Sequence, residues 1–226
     1  MTADPATPAG FRPGGRQIVP RPADWAPGPP PPWTPGAAAT LDEILAAVPD
    51  HERPLLPAFP GARHSAVLVL LHDGDRGPEV LLTRRSWELR HHRGEVSFPG
   101  GRMDPGETPI DTALREAHEE VGLDPGGVVV HGELEHLNTV VSRSYIVPKV
   151  ATIEDRPDLR AHEPEVDRVL WVPLAELTRP DTYRTEVWGI NGVERVLHFF
   201  QLDDETIWGA TALILVDLLT RTVARA

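Results

Sequence analysis

The sequence predicts a mixed β-sheet layered with helices, an α+β or three-layer α/β arrangement, and three observations support it. Short β-rich runs separated by turn-forming residues recur from residue 64 onward. Two segments instead carry apolar residues at helical spacing, one mid-chain and one near the end. No internal repeat is apparent, so a solenoid or propeller is not indicated. With 226 residues, 40% of them hydrophobic and 25% charged, the chain is long enough for one substantial core.

Residues 1–38 are rich in Pro, Gly and Ala, including "APGPPPPWTPGAAA". Few apolar side chains and a restricted backbone predict an extended or partly ordered N-terminal arm, followed by a folded domain over residues 39–226. The arm reads as a plain tail, with a ligand for a proline-recognising partner as the alternative. Trp25 and Trp33 are the side chains available to pin it to the domain. "TLDEILAAV" then reads as a short helix with Thr40 as N-cap and Glu43 three residues on. "SAVLVLLH" and "EVLLTRR", joined by the turn-forming "DGDRGP", predict a hairpin. "VVVHGEL", "YIVPKVAT", "VDRVLWVPL" and "VERVLHFFQL" are further strands; Pro109 to Val121 and Ile207 to about Val223 are the two helices.

Charge and composition limit the function. A net charge of −12 argues against broad attachment to nucleic acid or an anionic membrane, although a polyanionic small molecule can still be admitted through a cation or a basic pocket. The absence of cysteine excludes disulfides, thiolate zinc sites and thiol nucleophiles, and fits a reducing cytoplasm. "ATALILVDLL" is too short to span a membrane and contains Asp217. The polar, proline-rich N-terminus lacks a signal-peptide core, and the C-terminal "VARA" is no recognisable address. A soluble cytoplasmic protein is expected.

One patch stands against this charge balance. On a helix starting near Pro109, Ile110, Ala113, Leu114, Ala117 and Val121 form the apolar face, and Glu116, Glu119 and Glu120 are neighbours on an adjacent face. Like charges at that spacing cost an isolated helix about 0.2–0.5 kcal/mol per pair, and they lie beyond the turn where the helix dipole favours acids. A divalent cation removes the objection, since hard oxygen ligands on one face suit Mg²⁺ or Mn²⁺. The bland alternative is a solvated acidic face. Ahead of the helix, the glycines of "FPGGRMDPGE" allow carbonyls and amides to approach a metal or phosphate, and Arg115 can reach back to Glu107 in a structural pair.

Gly101, Glu107 and the run Arg115-Glu116-Ala117-His118-Glu119-Glu120-Val121-Gly122-Leu123 resemble the Nudix box at every fixed position. The resemblance implies a Nudix-type α/β/α sandwich with a mixed sheet and a loop–helix–loop catalytic motif. It also implies Mg²⁺-dependent hydrolysis, with Mn²⁺ as a substitute, of a nucleoside diphosphate linked to another group. It makes Glu116 and Glu120 metal ligands, Glu119 a third ligand or the water-activating base, and the Gly101 carbonyl a further ligand.

Immediately upstream, "LLTRRSWELRHHRGEVSFPGG" is a strand running into a basic loop with Arg84, Arg85, Arg90, His91, His92 and Arg93. Arginine forks suit phosphate oxygens; a surface loop offsetting nearby acids is the competing reading. Leu81, Leu82, Thr83, Arg85, Ser86, Arg90, Gly94 and Phe98 to Gly101, with "IWGATA" at Ile207 to Ala212, resemble the coenzyme A pyrophosphatase branch of the Nudix proteins. That resemblance implies coenzyme A or a derivative as substrate, cut to 3′,5′-ADP and 4′-phosphopantetheine, with Arg85, Arg90, Ser86 and Phe98 as substrate-binding candidates. Phe98 is equally placed for packing. ADP-ribose, NADH or another dinucleotide is the alternative substrate class, and a nucleotide-binding regulator the non-enzymatic one; a homodimer is left open. His91 and His92 read as basic-loop residues, His118 as surface, and Glu163 and Glu165 either as a solvated loop or as the source of a base.

Overall fold

Within the proline-rich N-terminal segment, Ala26–Pro27 forms a two-residue strand (β1). The structure is a computed structural model describing residues 8–57, 59–139, 143–190 and 192–223. Residues 1–7 of the arm and residues 224–226 of the "VARA" terminus lie outside the described residues. Helix α1 (Leu41–Ala47) starts at a reciprocal cap: Thr40 Oγ1 accepts from Glu43 N at 3.3 Å, and the Glu43 carboxylate accepts from Thr40 N at 2.8 Å.

Strands β2 (Arg63–Gly74) and β3 (Gly77–Arg85) form the expected hairpin, in register from Leu71 opposite Val80 to Gly74 opposite Gly77. Two short strands follow, β4 (Val96–Ser97) and β5 (Gly100–Arg102), and then helix α2 (Pro109–Val121). Thr108 caps α2, Pro109 fills its first turn, and Gly122, at φ +71°, ends it in the left-handed conformation that a side chain resists. The chain continues through β6 (Val128–Glu133), β7 (Leu137–Thr139), β8 (Ser144–Ile153), β9 (Val166–Pro173) and the short helix α3 (Leu174–Leu177). It ends with β10 (Tyr183–Ile190), β11 (Val193–Gln201), β12 (Thr206–Ile207) and α4 (Gly209–Val223).

The larger sheet runs β4-β3-β2-β8-β6, with β5 paired to β2, β7 to β8 and β9 to β3. β2 and β8 are parallel and the remaining pairs antiparallel, so the sheet is mixed. Alternation along β2 sorts its side chains onto two faces. Ala66, Leu68 and Leu70 pack with Ala113, Ala117 and Val121 of α2, whereas Val69 and Leu71 join Ile44 of α1 and Ile214, Leu215 and Leu218 of α4. A second sheet, β1-β10-β11-β12, closes that far side through Tyr183 and Phe200. Among the described residues no helix is long and apolar enough to cross a membrane.

Besides the short elements β1, β4, β5, β7 and α3, which the sequence does not mark, two features differ from the sequence expectation. The last helix begins at Gly209 rather than Ile207, because Ile207 is fully buried opposite Phe200 as part of β12. Strand β10 has no counterpart in the sequence reading. Its Arg184 and Glu186 are buried and ion-paired, and Arg21 of the arm binds Glu186 as well, at 2.7 Å, so a strand covered on both faces does not show apolar–polar alternation.

Candidate active site

Helix α2 is held to the loop before it by one arginine. Arg115 donates to both oxygens of Glu107, at 2.7 and 3.1 Å, and to the Arg102 carbonyl at 3.1 Å. Glu107 also accepts from Asp104 N and Thr112 Oγ1. With Arg115 foremost, these donors hold its carboxyl down at about 2, so it is ionised and the fork is permanent at neutral pH. The remaining nitrogen of the fork donates to Glu116 at 2.9 Å and Glu119 at 3.2 Å.

The three glutamates differ in environment. Glu119 is exposed, Glu116 is half-buried, and Glu120 is only 4% exposed. Burial pushes Glu116 upward against the opposing pull of Arg115. Burial pushes Glu120 up to about 8; the Gly100 amide, 3.3 Å away, and the charge of Arg85 offset this only in part, and Glu116 and Glu165 add to it. A carboxylate desolvated among other acids is thus only partly compensated.

The double glycine ahead of the helix has a steric cause. A Cβ on Gly100 would lie 2.4 Å from the Ala66 carbonyl oxygen, and one on Gly101 would lie 2.4 Å from the Glu116 carboxyl carbon. β5 thus lies flat against β2, with Gly101 opposite Ala66, and brings main chain directly onto the glutamate. Carboxylate oxygens brought together beside main chain in this way supply hard donors of the kind a divalent cation that retains water takes. Among the described residues no three His, Asp or Glu side chains converge as a ready-made metal centre; Arg115 draws Glu116 and Glu119 to itself. The chemistry of the donors and the only partly compensated burial of Glu120 still fit such a cation.

The structure sorts the basic cluster. Arg84 turns away, binding Asp167 at 2.8 Å and Glu205 at 2.6 Å. Arg85 lies on the side of Glu120, and its buried Nε has no hydrogen-bond partner among the described residues. Arg90, His91 and Arg93 are exposed, and His92 lies 2.9 Å from Glu95. Ser86 is buried in a turn, where its N–H donates to the Glu165 carbonyl and its Oγ accepts from Glu88 N. Phe98 is 2% exposed within the larger core, so its ring supports the loop from beneath. His118 donates from Nδ1 to the Leu123 carbonyl at the helix end.

The loop before β9 reaches the same place. Arg160 N and His162 N donate to the Val121 and Glu120 carbonyls at 3.0 and 2.9 Å, and the charge of Glu165 is felt at both Glu116 and Glu120. Sequence alone does not separate Glu163 from Glu165; the fold brings the charge of Glu165 to the glutamates. Sequence reading misses Gln17 and Glu205 altogether, since no local pattern marks a contact across so many residues. Two cavities of about 300 and 350 Å³ lie elsewhere, one beside α1 and α4 and one among the arm prolines.

A family model described as NUDIX domain matches residues 62–189. The chain belongs to the NUDIX domain family. The box at Gly101 to Leu123 falls inside the match, and the family's hydrolases act on pyrophosphate bonds. Nudix hydrolase 3 of Caenorhabditis elegans is 41% identical over 142 residues, 60% of this chain and 58% of its own length. A Yersinia enterocolitica protein named uncharacterized Nudix hydrolase NudL is 37% identical over 177 residues, 78% of this chain and 90% of its own. Peroxisomal coenzyme A diphosphatase ndx-8 of Caenorhabditis elegans is 37% identical over 161 residues, 69% of this chain and 67% of its own. The chain thus spans little more than half the length of the first of these relatives.

Proposed function

We propose that this Nudix protein is a metal-dependent diphosphatase that cuts coenzyme A or its derivatives to 3′,5′-ADP and 4′-phosphopantetheine, or to the acylated phosphopantetheine. The observation that carries the reading is Glu120, a carboxylate buried beside Glu116 and the main chain of Gly100 and Gly101, whose desolvation Arg85 offsets only in part. Similarity to a relative named as a coenzyme A diphosphatase supports the substrate. A cytoplasmic setting is supported by the lack of cysteine.

Glu116, Glu120 and the Gly101 carbonyl would hold Mg²⁺ or Mn²⁺, with Glu119 as an additional ligand or as the base. Such an ion neutralises diphosphate charge and lowers the pKa of a bound water. The chain supplies the rest. Arg115 fixes the directions of Glu116 and Glu119 while remaining charged itself. Exposed Glu119, held by Arg115 through one carboxylate oxygen, is the residue whose carboxylate would take the proton of an attacking water. Arg85, with an unpaired buried Nε, and exposed Arg90 offer forks to the phosphate oxygens. Phe98 and Ser86 keep the loop's shape and so act on the substrate indirectly. Glu165 is the second candidate for the base, because its charge reaches the same glutamates.

The test is product analysis by mass. Purified chain is incubated with coenzyme A, ADP-ribose and NADH plus Mg²⁺, beside Glu120→Gln. The expected outcome is fastest release of 3′,5′-ADP and phosphopantetheine, abolished in the variant. Faster cleavage of ADP-ribose or NADH would overturn the substrate, and product formation by Glu120→Gln at the wild-type rate would overturn the site.

A further inference from the structure

The basic loop between β3 and β4 is gripped from outside by the arm. Gln17 is buried, and each polar position of its amide is used. Nε2 donates to the Gly94 carbonyl at 3.0 Å and to Glu205 at 2.5 Å, while Oε1 accepts from Thr206 N at 2.9 Å. With one acceptor and two donors all engaged, the orientation of this side chain is fixed. Its neighbour Arg16 places its guanidinium 5.1 Å from the ring centre of Trp87, a loop residue. That ring occupies the space into which a Cβ on Gly94 would project, at 2.3 Å. Arm, Trp87 and Gly94 therefore stack in sequence.

Glu205, fully buried, extends the grip to the other end of the loop. It binds Arg84 at 2.6 Å and Arg168 at 2.8 Å in addition to Gln17. Arg84 immediately precedes Arg85, at an irregularity in the β3–β9 pairing; Arg84 binds Glu205 while the charge of Arg85 reaches Glu120, so the cluster holds β3 one residue away from the arginine on the glutamate side. At the neck of the loop, Arg85 N donates to the Glu95 carbonyl at 2.9 Å and Gly94 N to the Arg85 carbonyl at 3.0 Å. Gln17 thus holds the residue that pairs directly with Arg85.

We propose that Arg16 and Gln17 are positioning residues for substrate binding, with the arm setting where the basic loop presents Arg85 and Arg90 to a diphosphate. The inference rests on the reading of that loop as phosphate-binding. Neither residue touches the box, so their loss raises KM and leaves kcat in place.

The test uses the full chain with Gln17→Leu and, because leucine beside Glu205 threatens folding, also Arg16→Ala at an exposed position. Two readouts are taken: kcat and KM for coenzyme A, and the rate of tryptic cleavage after Arg90 and Arg93. The expected KM rises about tenfold or more in Gln17→Leu, which removes three hydrogen bonds including the one to Glu205, and about threefold in Arg16→Ala, the loss of one cation–π contact. In both, kcat holds within about twofold and loop cleavage accelerates. Cleavage and KM both at wild-type values would overturn the proposal, and so would a fall in kcat with KM unchanged. If the wild type cuts no diphosphate, the proposed function fails separately, and loop cleavage alone decides the brace: unchanged rates overturn it.

Discussion

At Gly101 and Glu116, main chain and carboxylate share a space that a side chain can enter only by displacing the carboxylate. Gly101→Ala should push the far end of Glu116 aside, a cheap movement for folding because a long side chain can swing. The expected outcome is a melting temperature close to wild type with a Mg²⁺ requirement raised about 10–100-fold, the usual effect of misplacing a metal ligand; titrating kcat/KM against Mg²⁺ checks it. The positions of Glu116, Glu119 and Glu120 along α2 were legible because Pro109 marks the helix start and Ile110, Ala113, Leu114, Ala117 and Val121 repeat at helical spacing. Their unequal environments were not legible. That Glu120 is buried and Glu119 exposed depends on β2, against which β5 lies, and on the loop before β9, both from distant sequence.

At the scale of elements, the arm is as much wall as tail. Trp33 is fully buried, 4.6 Å from the ring centre of Tyr183 and stacked at 6.4 Å on Phe200. Trp33→Ala should destabilise the chain by about 3–5 kcal/mol, as deletion of a buried aromatic ring does. Trp33→Phe should cost much less, since the indole N–H has no hydrogen-bond partner among the described residues. Urea unfolding measures both, and equal losses would contradict the packing role. The strands of the larger sheet were readable where apolar runs lie between turn residues. Strand β10 was not, since the partners of Arg184 and Glu186 include Arg21 and Gln201, far away in sequence. The same reason hid Gln17, whose three bonds all cross to other elements.

Over the whole molecule, the net charge of −12 makes any buried acid harder to ionise, and Glu120 is where this bears on function. Its carboxyl is raised from 4.5 to about 8, mainly by burial. A group whose folded pKa is raised contributes stability while it is protonated in both states. That contribution is complete below the unfolded value near 4.5 and is lost as pH rises through about 8. Without a divalent cation, wild-type stability should therefore fall towards alkaline pH, whereas Glu120→Gln, which carries no charge there, should fall less.

The most direct measurement is the melting temperature of both proteins above the Glu120 midpoint, in EDTA and in saturating Mg²⁺. In EDTA the variant is expected to be the more stable. Mg²⁺ at a hundred times its dissociation constant should then raise the wild type by about 2.7 kcal/mol, roughly 5–11 °C for a chain of this size, and leave Glu120→Gln unmoved. An equal response in both proteins, or none in the wild type, would contradict the assignment of the crowded glutamates to a cation.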